Sequence, residues 1–192
     1  ILVTGPTGSG KSTTLYSVLN QLNTPERNII TIEDPVEYQL EGITQIQVKP
    51  EIGLDFSSGL RAVLRQSPDV IMVGEIRDSE TADIAVKASL TGQMFLSTLH
   101  TNDALTSITR LVDMGIEPFL VATSIIMLCA QRLCRKICPK CRKPVDVPAQ
   151  YLKEIGFTEK DVVFYKSPGC KYCNNTGFYG RIAILEAVLI DD

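Results

Sequence analysis

The feature that most narrows the choice of fold is a glycine-rich run placed directly after an apolar one. Ile1-Leu2-Val3-Thr4 reads as the end of a buried strand, and GPTGSGKS at residues 5–12 fits G-x-x-x-x-G-K-[ST] at every fixed position before leading into the helical pattern TTLYSVL. This order lets backbone N–H groups turn inward around phosphates, and the helix N-terminus adds a favourable dipole. Gly5, Pro6, Thr7, Gly8, Ser9, Gly10, Lys11, Ser12 and Thr13 are therefore the expected ATP-binding residues. Lys11 should reach the β and γ phosphates, and the Ser12 hydroxyl should ligate magnesium. A glycine turn with an incidental lysine would not account for the flanking strand and helix.

Short β-rich runs alternate with helical patterns to about Asp113, the signature of an α/β fold whose parallel-rich sheet carries helices on its faces. The expected strands are Ile1 to Thr4, Ile29 to Ile32, Ile43 to Val48, Val70 to Val73 and Met94 to Thr98. Helices should start at Gly10, near Asp55 to Ser57, at Ser79 and at Asn102 or Asp103, with Gly92 closing the third. Beyond Pro118 the pattern reads as helical to about Ile137, and a Pro-, Lys- and Cys-rich segment follows to Gly180. The expected organisation is an ATPase core over 1–137, a four-cysteine subdomain over 138–180 and a strand-like return over 181–192. Both ends read as cut from a longer chain.

Hydrolysis needs more than a P-loop: a carboxylate at the end of a neighbouring strand must hold magnesium or orient water. Val70-Ile71-Met72-Val73-Gly74-Glu75 supplies one, with Glu75 emerging from a central strand and Gly74 standing where many P-loop proteins carry an aspartate. TIEDPVE at 31–37 offers Glu33, Asp34 and Glu37 at another strand end. A plain acidic loop is the alternative there. His100, the only histidine, also follows a strand and could sense the γ-phosphate, or serve as a satisfied structural histidine. Arg77 fits a pairing with a nearby carboxylate better than a contact with nucleotide.

Four of the six cysteines form two CxxC pairs, Cys138 with Cys141 and Cys170 with Cys173, 28 residues apart. Each pair is half of a tetrahedral thiolate site, so one structural zinc ion is expected in preference to disulfides or an iron–sulfur cluster. Arg132, Arg135, Lys136, Lys140, Arg142 and Lys143 form a basic cluster around the first pair that would offset the charge of four thiolates, with a membrane-surface or nucleic-acid patch as the alternative. A net charge of −3 gives no global basic field, and the longest apolar stretch, Pro118 to Ala130, is short of the roughly 20 residues a spanning helix needs.

GPTGSGKSTT, TIEDPVE, LRAVLRQSPDVIMVGEIRD, STLHTN and CPKC with CKYC together resemble the secretion and pilus assembly ATPase family, the GspE and PilB type, over nearly the whole chain. The resemblance implies a RecA-like core, ATP and ADP as ligands, and an ATPase that drives type II secretion or type IV pilus assembly. It places Glu37 as the functional glutamate of the aspartate box, Glu75 as the Walker B glutamate and His100 in the histidine box, with Lys11 joining them in catalysis. Gln93 stands where many relatives carry another histidine. The resemblance further implies a homo-hexamer in the full-length protein, arginines supplied by an N-terminal domain, an inner-membrane platform protein as partner and a cytoplasmic location peripheral to that membrane. No nucleic acid is expected. The four-cysteine site favours assembly or export over a retraction motor, and a nucleic-acid-dependent P-loop ATPase or a non-hydrolysing scaffold are the other readings.

Overall fold

A computed structural model describes residues 1–157 and 162–190; the parts of the expected subdomain and return segment at 158–161 and 191–192 lie outside them. The chain divides into two compact units, Ile1–Arg132 with Ile184–Asp192, and Leu133–Ala183.

The first unit alternates strands and helices in the order β1 (Leu2–Thr4), α1 (Lys11–Leu22), β2 (Ile29–Glu33), β3 (Thr44–Gln47), α2 (Phe56–Val63), β4 (Val70–Val73), α3 (Ser79–Leu90), β5 (Met94–Leu99), α4 (Thr106–Asp113), α5 (Pro118–Ser124) and β6 (Met127–Ile137). The second holds β7 (Lys143–Val145), α6 (Ala149–Glu154) and β8 (Phe164–Lys166), and β9 (Phe178–Leu189) returns to the first. The sheet order is β3-β2-β4-β5-β1-β6-β9, with parallel pairing throughout from β3 to β6.

Alternation along the strands divides the core in two. Leu2, Ile30, Ile32, Ile71, Val73, Phe95 and Leu99 face α2, α3, α4 and α5. Val3, Ile29, Val70, Met72 and Leu96 face Leu15, Tyr16 and Leu19 of α1. Helices on both faces explain why the strands are uninterrupted apolar runs. Side chains set the helix starts: Asp55 and Ser58 form a capping box on α2, and Asp78 accepts from the Thr81 N–H at α3. Asp103 accepts from the Thr106 N–H, so α4 begins three residues after the expected cap.

Residues 127–137 depart from expectation. The helix that starts at Pro118 ends at Ser124, and Met127–Ile137 is a strand of eleven residues. Leu128, Cys129 and Ala130 pair with Leu2, Val3 and Thr4, filling the side of β1 that β5 leaves open. The helix-favouring Met, Leu, Ala, Gln and Arg of this run yield to the hydrogen bonds that a central strand must find. The unit boundary consequently falls inside β6, at 132/133, where a boundary at 137/138 was expected.

Candidate functional site

The site lies where β1, β4 and β5 end. Gly5, Gly8 and Gly10 take positive φ values of 138°, 79° and 88°, which side-chain-bearing residues rarely adopt, and so wrap the loop back onto α1. At Gly5 space is also decisive: a Cβ there would stand 2.3 Å from the Gln131 carbonyl oxygen and 2.8 Å from Ser9 Oγ. Among the described residues no side chain caps the N-terminus of α1, which leaves its first-turn N–H groups to an anion. The Lys11 ammonium lies over the loop, donating to the Gly5 carbonyl at 2.9 Å and to that of Pro6 at 3.3 Å. Pro6, Thr7, Gly8, Ser12 and Thr13 are exposed around it, and Ser9 is buried beneath.

One support of this loop has no signature in the sequence. Gln131, 2% exposed on β6, donates from Nε2 to the Ser9 carbonyl at 2.7 Å and accepts at Oε1 from the Thr14 hydroxyl at 2.7 Å. It ties the loop to the first turn of α1. Only pairing β6 with β1 reveals it.

Glu75 follows β4, which is separated from the P-loop strand by β5, so the strand that carries it is not the neighbour anticipated. Both residues beside it are fixed to β5: Thr98 Oγ1 donates to the Gly74 carbonyl at 2.8 Å, and the Ile76 N–H donates to the Thr98 carbonyl at 3.0 Å. Its carboxylate, 16% exposed, accepts from Arg77 at Oε1 (2.5 Å) and stands 3.2 Å at Oε2 from His100 Nε2. The Arg77 hydrogen bond, foremost, then the Arg77 charge and His100, hold the Glu75 carboxyl below the usual carboxylate range against partial burial. Partial burial lowers the Lys11 ammonium, and the Glu75 charge pulls it back up.

The acidic loop after β2 splits by role. Glu33, 3% exposed, accepts from the hydroxyls of Tyr16 and Thr31 and from Gln45 Nε2. Burial, foremost, and Glu33 raise the Tyr16 phenol well above its ordinary value, so it stays a donor. Tyr16 also accepts from the Glu37 N–H at 3.2 Å, which anchors the loop through its backbone. The Glu37 side chain itself is exposed, and no described contact joins it to the P-loop. Asp34 faces Arg77 across 3.9 Å. Glu75, His100 and Arg77 thus stand together, and among the described residues no hydrogen bond or ion pair joins the Glu37 side chain to them.

In the second unit the four cysteine sulfurs lie within 4.8 Å of one another, with Cys138–Cys170 at 4.0 Å, Cys141–Cys173 at 3.9 Å and Cys170–Cys173 at 3.8 Å. A tetrahedron with Zn–S bonds near 2.3 Å has edges of about 3.8 Å, so the donor set fits zinc, and the separations exclude disulfides. At Cys173 burial opposes ionisation, yet N–H donors from Cys170 and Gly177 and the neighbouring thiols bring it down to about 6. The cations around the first cysteine pair have separate duties: Arg132 donates to the Asn102 carbonyl, Arg135 stacks on Phe178 and Arg142 on Tyr165. No helix among the described residues is long and apolar enough to cross a membrane.

The family profile described as "Type II/IV secretion system protein" matches residues 1–192. Among curated relatives, type II secretion system protein E of Dickeya dadantii is 57% identical over 192 residues, covering 100% of this chain and 38% of that protein. The type IV pilus assembly ATPase PilB of Myxococcus xanthus is 54% identical, over 98% of this chain and 34% of that one. The chain therefore spans little more than a third of such relatives. Among solved structures, the pilus retraction motor PilT with bound ADP superimposes with a TM-score of 0.73 at 33% identity, over 100% of this chain and 47% of that one. The ATPase DotB of Legionella pneumophila gives 0.68 at 28% identity, over 100% and 45%.

Proposed function

Because this chain belongs to the type II/IV secretion system protein family, we propose that it is the ATP-binding and hydrolysing part of a motor that powers type II secretion or type IV pilus assembly. The observation that carries this reading is the phosphate loop itself, with Gly5, Gly8 and Gly10 at positive φ and Lys11 folded onto its carbonyls, together with a Glu75 carboxylate held by Arg77 and His100.

The P-loop N–H groups and Lys11 bind the phosphates. Glu75 accepts a hydrogen bond from the attacking water and orients it toward the γ-phosphate, and Arg77 and His100 fix the plane of that carboxylate. Magnesium supplies neutralising charge to the phosphates. Ser12 is the residue to hold it, its exposed hydroxyl making no hydrogen bond among the described residues. Zinc on Cys138, Cys141, Cys170 and Cys173 is structural, since four sulfurs leave no open position. The loop bearing Glu37, whose own backbone N–H is held by Tyr16, reaches the nucleotide in the full-length homo-hexamer, where a neighbouring domain adds its arginines. The motor works at the cytoplasmic side of the inner membrane against a platform protein, without nucleic acid. Higher identity to the secretion and assembly proteins than to the retraction motor supports assembly or export.

Steady-state ATP turnover of the full-length protein tests the site. Lys11→Ala should lose ATP binding, and Glu75→Gln should keep it while turnover drops by about 10² to 10⁴. Wild-type turnover in Glu75→Gln would remove Glu75 from the reaction.

A further inference from the structure

The stretch from Asp34 to Gln39, between the end of β2 and the buried Leu40, makes no backbone–backbone hydrogen bond among the described residues. A segment without a ladder of its own takes its shape from the side chains that reach its N–H and C=O groups. Two side chains supply most of these contacts. The Tyr16 hydroxyl accepts from the Glu37 N–H at 3.2 Å. Gln45, on β3, uses both ends of its amide: Oε1 accepts from the Leu40 N–H at 2.7 Å, and Nε2 donates to the Tyr38 carbonyl at 3.2 Å. One buried group locks both of them, since the Tyr16 hydroxyl donates to Glu33 and Gln45 Nε2 donates to Glu33 Oε1 at 3.0 Å. The Tyr38 ring also meets the Tyr16 ring edge to face, with centroids 4.7 Å apart. A further contact, from the Val36 N–H to Gln47, is long at 3.4 Å and exposed.

Tyr16 stands on α1, the helix that Lys11 opens, and is 1% exposed in the core between α1 and the sheet. The helix whose first turn faces the phosphates therefore also holds the backbone of Glu37. We propose that Tyr16 and Gln45 are positioning residues that fix the acidic loop in register with the P-loop helix, so that the Glu37 carboxylate meets bound nucleotide in one orientation. This rests on the reading of Glu37 as a group that reaches the nucleotide, and extends it to the residues that aim it. Without the two hydroxyl and amide contacts the loop keeps only the Val36 bond and the ring contact, and it samples many shapes. The fraction of time that Glu37 is in place then falls, and the rate falls with it. Glu33, the buried member of the acidic trio, is the anchor of this clamp and takes no part in the chemistry.

The test is a double-mutant cycle on kcat for ATP turnover by the full-length protein, with equilibrium binding of a fluorescent non-hydrolysable ATP analogue, mant-AMP-PNP, read beside it. Tyr16→Phe and Gln45→Met should each lower kcat about five-fold, the worth of one hydrogen bond, and the two together about twenty-fold. Analogue affinity should stay within about two-fold of wild type, because the P-loop and Lys11 are untouched. Glu37→Gln should lower kcat about 10²-fold. In that background the loop has no carboxylate left to aim, so Tyr16→Phe and Gln45→Met should each change kcat by less than about two-fold. A general loss of packing predicts the same drop with and without Glu37, and that result overturns the proposal. So does wild-type kcat in the variant carrying both Tyr16→Phe and Gln45→Met. A fall in analogue affinity as large as the fall in kcat also overturns it, since the damage would then lie in the phosphate cradle. If Tyr16→Phe does not fold, Gln45→Met with and without Glu37→Gln gives the same comparison. Wild-type kcat in Glu37→Gln would instead defeat the reading of Glu37 itself, a separate failure read in the same assay.

Discussion

Replacing Gln131 by leucine tests the support that the sequence did not disclose. The side chains are of similar volume, so the change removes hydrogen bonds more than packing. Two are lost, from Nε2 to the Ser9 carbonyl and from the Thr14 hydroxyl to Oε1, each 2.7 Å long. The Ser9 carbonyl meets Gln131 in a buried setting, and a buried acceptor left without a donor costs about 1 to 3 kcal/mol. The Thr14 hydroxyl is only partly buried and adds at most about 1 kcal/mol. The total is therefore about 1 to 4 kcal/mol. Part of it falls on folding and part on the loop, because a carbonyl with no partner turns outward and drags Ser9 and Gly10 from the phosphate-binding geometry. Urea unfolding of the full-length variant should show a lower midpoint, and mant-AMP-PNP affinity should fall about ten-fold, some 1.4 kcal/mol of the total. Gln131→Glu separates the roles, since it keeps an acceptor for Thr14 but loses the donor to Ser9. Wild-type stability and affinity in Gln131→Leu would show that the loop holds itself, and the brace would be incidental.

Tyr16→Phe removes one donor from buried Glu33 and the acceptor for the Glu37 N–H, and should destabilise the protein by about 1 to 3 kcal/mol, read by chemical denaturation. Cys138→Ser should lower zinc content per chain by elemental analysis and raise amide exchange over 138–173 without changing exchange in α1, since the two units have separate cores. A variant that keeps its zinc, or loses protection in both units together, contradicts that division.

The strands β1 to β5 and the starts of α1, α2 and α3 are legible in the sequence, because burial on both faces, cap residues and glycines each leave a local mark. The strand β6 leaves none. Met127 to Ile137 has the composition of a helix, and only the open side of β1, more than 120 residues earlier, makes it extended. The same distance hides Gln131. In the acidic loop the spacing groups Glu33, Asp34 and Glu37, but three different environments claim them: a buried hydroxyl network, an arginine and solvent. The partnership of Glu75 with Arg77 and His100 was half visible, since GEIRD holds two of the three side by side, while His100 arrives from the next strand.

The place of β5 between β1 and β4 fixes a length. Neighbouring strands lie about 4.8 Å apart, so two steps put the end of β4 roughly 10 Å from the end of β1. On the proposed reading of Lys11 and Glu75, that spacing across the end of β5 is the room the γ-phosphate and the attacking water would share. Sheet topology thus acts as a ruler for the reaction, and changing a side chain at Glu75 or Lys11 cannot alter the gap it sets.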